Sequence, residues 1–132
     1  MQIHQSAEDY LETILMLNQR MGRVRSIDVV NELGYTKASV SIAMKKLREN
    51  GYIAVDGEGN LTLLEPGRAI AERIYSRHRL LTHFFVQLGV DETIAAEDAC
   101  KAEHILSEQT LEKIREYALL HDAQDSMKPQ GE

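Results

Sequence analysis

Apolar residues recur along this chain at two spacings, and the switch between them marks out its elements. Over residues 7–21, Tyr10, Leu11, Ile14, Leu15 and Leu17 fall three and four apart, the spacing of one helix face. Ser6 before the run and Asp9 three residues later form a capping-box arrangement that predicts the helix start, and Gly22 predicts its end. Ser26 is placed to cap a short helix, IDVVNEL, stopped by Gly34. Thr36 is placed to cap the next, KASVSIAMKKLREN, stopped by Gly51. In that helix Val40, Ala43, Met44 and Leu47 make the inner face, while Lys37, Ser39, Ser41, Lys45, Lys46 and Arg48 lie on or beside the outer one. The period then changes. Tyr52–Val55 and Leu61–Leu64 are short strand-like runs around DGEGN, a cluster of turn formers, which predicts a β-hairpin closed by Pro66 and Gly67. Residues 67–88 return to helical spacing, with Ile70, Ile74, Leu81, Phe84 and Phe85 among the apolar positions and Gly89 as the stop. Residues 91–106 and 107–120 read as two further helices, the last capped by Ser107. The polar end, HDAQDSMKPQGE, is expected to be a flexible tail over 121–132.

A helix, a glycine-containing turn and a second helix with polar and basic outer positions form the helix-turn-helix pattern, and the hairpin that follows makes a wing. The predicted fold is mainly α, with a winged helix-turn-helix over residues 1–66 followed by an all-helical region over 67–120. In such a unit the second helix enters the major groove and reads base edges from its N-terminal part. Thr36, Lys37, Ala38, Ser39 and Ser41 are therefore the candidate base and phosphate contacts, and Lys45 and Lys46 suit the phosphate backbone. The wing tip carries Asp56 and Glu58 and no Lys or Arg, so little attraction to phosphate is expected there. Helix-turn-helix units also serve as protein-interaction modules, and the pattern alone leaves that reading open.

Charge changes this picture, because the whole chain is acidic. The formal net charge is −6 over 132 residues. Its distribution is uneven: residues 1–19 carry −3, residues 20–79 carry +4, and residues 80–132 carry −7. A basic middle between acidic ends suggests one part that meets a polyanion and another that meets cations, although uneven surface charge has the same appearance. The N-terminal apolar run is short and broken by acids, and is expected to be no signal peptide. No stretch approaches the roughly 18 uncharged apolar residues of a membrane span. A cytoplasmic location is the expectation. Cys100 is the single cysteine, so no intramolecular disulfide is possible, and a lone cysteine in a reducing compartment is commonly a small buried hydrophobe.

The acidic C-terminal part holds a donor cluster. In DACKAEH, Cys100, Glu103 and His104 stand at i, i+3 and i+4, which on a helix share one face. Thiolate, carboxylate and imidazole form a mixed donor set suited to first-row transition metals. Asp9 and Glu12 share a face of the first helix, and His78 in the long helix is a sixth candidate. A paired Asp and Glu is also what a solvated helix face carries, and a lone His in a long helix is often structural. Donors drawn from three helices would let a bound metal couple the first helix to the last ones.

With this combination of elements and donors, the sequence resembles the diphtheria toxin repressor family of metal-dependent regulators, and most of all its short manganese transport regulator branch. The resemblance runs through SAEDYLETI, SIDVVNELGYTKASVSIAMKKLRENGYI, LTLLEPGRAIAERIYSRHRLLTHFF and LGVDETIAAEDACKAEHILSEQTLEKI, roughly residues 6–117. It implies metal ligands at Asp9, Glu12, His78, Cys100, Glu103 and His104. It implies that residues 67–120 hold the dimerisation and metal-binding helices, and that a homodimer binds a palindromic double-stranded operator controlling metal-homeostasis genes. In the manganese branch the position of Cys100 is a glutamate; in the iron branch it is a cysteine, but Asp9 is replaced by methionine. This chain is a hybrid, and Mn(II) or Fe(II) is the implied cofactor, with Co(II) or Zn(II) as ions that the donor set would also take in vitro. The ancillary site of the iron branch falls on Thr82 and Ala96, which offer neither the Glu nor the His it needs. The longer branch adds an SH3-like domain after a linker, and 132 residues are expected to leave no room for one.

Three other readings compete. A metal-independent winged-helix regulator responding to a small organic ligand would ignore chelators. A metalloenzyme could use the same donors, but the sequence has no nucleophile-and-base pattern, no phosphate-binding glycine loop and no spare acidic pair, so no enzyme is expected. A metal buffer would leave the helix-turn-helix without a use.

Overall fold

The computed structural model describes residues 5–126. Its elements run α1 (Gln5–Met21), α2 (Ser26–Leu33), α3 (Lys37–Glu49), β1 (Ile53–Val55), β2 (Leu61–Leu63), α4 (Glu65–Gln87), α5 (Glu92–Ala102) and α6 (Glu108–Ser126). The chain is mainly helical, as the apolar spacing predicts, and it forms two compact units that divide between Ile74 and Tyr75, inside α4.

The first unit is the winged helix-turn-helix. The apolar face of α1 is buried throughout: Tyr10, Leu11, Ile14, Leu15 and Leu17 are all in the core. Val29 from α2 and Val40, Met44 and Leu47 from α3 join them. The hairpin pairs antiparallel, Ile53 with Leu63 and Val55 with Leu61. Successive strand side chains point to opposite faces, so Ile53, Leu61 and Leu63 are buried while Ala54 and Thr62 face outward. Val24, in the link between α1 and α2, is also fully buried, and its carbonyl accepts the Leu61 N–H at 2.7 Å, which ties the wing to the helices.

Several end signals act as expected. Gly34 closes α2 at φ 72°, in the left-handed region that favours glycine. The Thr36 hydroxyl accepts the Ser39 N–H at 3.1 Å, capping α3. Two expected caps are corrected. Ser6 lies inside α1, which already includes Gln5. Ser26 is the first residue of α2, not its cap; the residue before it, Arg25, donates its backbone N–H to the Asp28 carboxylate at 2.9 Å, so an acid within the helix does the capping.

The second unit contains the rest of α4 with α5 and α6. Leu81, Ala99 and Leu111 form its core, with Leu80, Phe85, Leu106 and Ile114 packed against them. The Asp91 carboxylate accepts the Thr93 N–H at 3.1 Å to start α5, and the Ser107 hydroxyl accepts the Thr110 N–H at 3.2 Å to start α6. The helix expected to reach residue 106 ends at Ala102. The last helix continues past the expected residue 120 to Ser126, anchored by Gln87, which donates to the Ala118 carbonyl at 3.2 Å and to Asp122 at 2.8 Å. The rest of the expected tail, 127–132, lies outside the described residues. Val86, Leu88, Ile94, Tyr117, Leu119 and Leu120 are exposed on this unit. Among the described residues no helix is long and apolar enough to cross a membrane.

Candidate metal centre and nucleic-acid interface

The second unit brings three of the six candidate ligands together. Glu103 follows α5 directly, with helical φ and ψ, and its N–H donates to the Ala99 carbonyl at 2.9 Å. That turns its side chain inward, where it is wholly buried. His78 on α4 sets Nδ1 3.0 Å from Oε2 of Glu103. His104 sets Nε2 3.4 Å from Oε1, and its own side chain is buried to 1% exposure. One buried carboxylate thus has an imidazole nitrogen on each of its two oxygens.

An ionised carboxylate is costly to bury unless positive charge or hydrogen-bond donors compensate it. A carboxylate between two imidazoles is also a donor group that fits a divalent first-row ion, since nitrogen and oxygen ligands of this kind suit Mn, Fe, Co and Zn. The residues present therefore fit a metal. Arg77, which the sequence reading passed over, holds the backbone of this group: Nη1 donates to the Glu103 carbonyl at 3.2 Å, and the same guanidinium pairs with Glu108. Its place next to His78 in sequence was the available signal, because adjacent helix residues diverge by about 100° and can grip two parts of one loop.

The other candidates are placed differently. Asp9 and Glu12 belong to α1 in the first unit, where Asp9 is half-buried and Glu12 is buried at 5% exposure. Glu12 therefore does not lie on a solvated helix face. Cys100 is exposed, not the small buried hydrophobe that a lone cysteine commonly is.

The candidate DNA contacts all lie in the first unit. Thr36, which caps α3, and Lys37, Ala38, Ser39, Ser41, Lys45 and Lys46 along it are exposed, and helical spacing sets Ala38, Lys45 and Lys46 on the side away from buried Val40, Met44 and Leu47. In the wing turn, the Asp56 carboxylate accepts the N–H groups of Glu58 and Asn60, each at 2.9 Å, and the Asn60 side-chain amide at 3.0 Å. These hydrogen bonds, those of Asn60 first, lower the Asp56 pKa below its ordinary value. One carboxylate thus gathers two backbone N–H groups and a side-chain amide at the wing tip.

Comparison with known proteins supplies the family. Residues 2–61 match the N-terminal DNA-binding domain of the iron-dependent repressors, and residues 64–123 match their metal-binding and dimerisation domain. An uncharacterised helix-turn-helix-type transcriptional regulator of Methanocaldococcus jannaschii is 35% identical over 113 residues, which are 84% of this chain and 90% of that one. The regulator MntR of Bacillus subtilis is 32% identical over 123 residues, 93% of this chain and 87% of its own. Among solved structures, a manganese-dependent transcriptional repressor in complex with manganese superposes with a TM-score of 0.78 at 28% identity, covering 85% of this chain. This chain spans about half of that solved one, 52% of its length. A buried Glu–His–His group in one unit and a winged helix-turn-helix in the other are accounted for together by this kinship: the chain belongs to the iron-dependent, or diphtheria toxin, repressor family of metal-dependent transcriptional regulators, in its MntR-like branch.

Proposed function

We propose that this chain is a cytoplasmic, non-enzymatic repressor that binds a palindromic operator as a homodimer when Mn(II) or Fe(II) is bound, and so controls metal-homeostasis genes. The observation that carries the metal dependence is Glu103, buried with His78 and His104 on its two carboxylate oxygens. In this reading Asp9 and Glu12 of α1 complete the ligand set with Cys100. A bound divalent ion would supply the positive charge that a buried acid such as Glu103 requires. Asp9 and Glu12 would contribute their carboxylates from the DNA-reading unit, and Arg77 holds Glu103 in register through its backbone. The exposed apolar residues of the second unit, Tyr117, Leu119 and Leu120 among them, support dimerisation there. A two-fold dimer presents two α3 helices to two half-sites. Metal favours DNA binding only as far as it binds the DNA-competent state more tightly than the others.

The hybrid donor set bears on the ion. Oxygen donors such as Asp9 favour Mn(II), while a thiolate at Cys100 favours Fe(II), Co(II) or Zn(II). The test is an anaerobic fluorescence anisotropy titration of DNA from upstream of the chain's own gene and of nearby transporter genes, with chelator, Mn(II), Fe(II), Co(II) or Zn(II). Metal-dependent binding, with one ion acting at the lowest free concentration, is the expected result. Equal binding with chelator would overturn it in favour of a regulator that answers to an organic ligand.

A further inference from the structure

One large apolar side chain stands in the middle of the DNA-facing surface. A helix turns about 100° per residue, which sets Ile42 nearly opposite the buried trio Val40, Met44 and Leu47 and one turn beyond Ala38. Ile42 is 58% exposed. Around it Ser39, Ser41, Lys45 and Lys46 are exposed too. With Ser41, Lys45, Arg48 and Val55 it also borders an open hollow of about 330 Å³ between α3 and the wing. Folding does not ask for isoleucine here: its apolar area stays in water, and a β-branched side chain loses rotamer freedom on a helix.

Resting on the DNA-binding reading above, we infer that Ile42 is a specificity-determining residue that packs against the C5-methyl group of a thymine in the major groove. Thymine alone presents a methyl there, and apolar side chains are the groups that recognise it. The hydroxyls and cations that ring Ile42 suit phosphates and polar base edges, which place the helix, while the methyl contact adds sequence preference. Apolar Ile42 was missed among the candidate contacts because only polar and basic positions (with Ala38) were gathered from the sequence.

The test uses the full chain saturated with Mn(II) and a duplex that it selects from a random-sequence pool. Each thymine is replaced in turn by deoxyuridine, which keeps the pairing face and removes only the methyl. At one position per half-site the substitution is expected to weaken the unaltered chain about four-fold, the worth of one buried methyl group. Ile42→Ala, checked for an unchanged thermal melt, is expected to bind the thymine duplex at least that much more weakly and to be indifferent to uracil at the same position. Matching uracil profiles for the two proteins, or unchanged affinity of Ile42→Ala, would overturn the inference while leaving the regulator reading intact. Failure of the unaltered chain to select any duplex would instead remove the regulator reading, and this inference with it.

Discussion

Nδ1 of His78 lies 3.0 Å from Oε2 of Glu103, a carboxylate with no solvent exposure. An ionised carboxylate buried this deeply is costly for the fold unless its charge is compensated, so without metal the charge of Glu103 serves metal binding better than it serves stability. Glu103→Gln is therefore expected to melt at or slightly above the temperature of the unaltered chain without metal. It is expected to lose more than about a hundred-fold in affinity for Mn(II), beyond what a supporting residue around a metal site contributes. Glu103→Ala and His104→Ala are expected to abolish metal-stimulated DNA binding without unfolding the protein. Calorimetric metal titration beside a thermal melt separates the two effects. A normal metal response from both alanine variants would mean that the site is misplaced.

Cys100 poses the sharper question, since it is exposed while its neighbour three residues on is buried. If the thiolate ligates as the family resemblance implies, Cys100→Glu is expected to move the preference among ions towards Mn(II) and away from Fe(II) and Co(II), because a hard oxygen replaces a soft sulfur. The readout is the free concentration of each ion at half-maximal operator binding. In Co(II)-loaded protein the near-ultraviolet thiolate-to-cobalt charge-transfer band is expected for the unaltered chain and absent from Cys100→Ser. An unchanged ion preference together with no such band would take Cys100 out of the ligand set.

The sequence made the helices of the fold legible because their signals are local. Tyr10, Leu11, Ile14, Leu15 and Leu17 repeat at helical spacing and all are buried, and Thr36 sits where a cap belongs and caps. Ser6 and Ser26 misled because a serine before an apolar run is only one way to satisfy a helix start: Asp28 does the work for α2 from inside the helix. The helix expected over 91–106 stops at Ala102, and a tertiary contact holds the turn after it, Arg77 gripping the Glu103 carbonyl. The site was legible as residue types and not as geometry. The spacing of Cys100, Glu103 and His104 proposed one shared face, yet the structure buries Glu103 and exposes Cys100, a distinction that depends on which side the core lies.

Gly67 is needed for space. A Cβ built on it would stand 2.2 Å from the backbone oxygen of Tyr52, the same oxygen that accepts the Leu64 N–H at 3.0 Å. The start of α4 and the beginning of the hairpin therefore approach too closely for any side chain. Gly67→Ala is expected to destabilise the chain by about 1–3 kcal/mol through forced displacement of backbone. Gly57 in the wing turn has open space and no left-handed backbone, so Gly57→Ala serves as the control and is expected to leave stability within about 0.5 kcal/mol. Urea unfolding midpoints of the two variants against the unaltered chain decide the matter, and equal midpoints would show that the approach of α4 to Tyr52 is loose.

Asp56 gives the wing a pH dependence whose sign follows from its hydrogen bonds. Its folded pKa lies below the ordinary value, chiefly through the backbone and side-chain donors of Asn60. A depressed carboxyl contributes stability that is fully present above its unfolded value and is lost as pH falls through the folded one. The wing turn is therefore expected to hold at neutral pH and to loosen in acid, below the ordinary titration range of an aspartate. Because the group is open to solvent, the effect is local and is best read at the amides that donate to it. The Glu58 and Asn60 N–H resonances are expected to shift together with a midpoint below 3.8, the unperturbed value. In Asp56→Ala they should be insensitive to pH over that range and exchange faster with water at neutral pH. A midpoint at or above the unperturbed value would mean that Asn60 does not hold the carboxylate in solution, and that the wing tip is looser than its hydrogen bonds indicate.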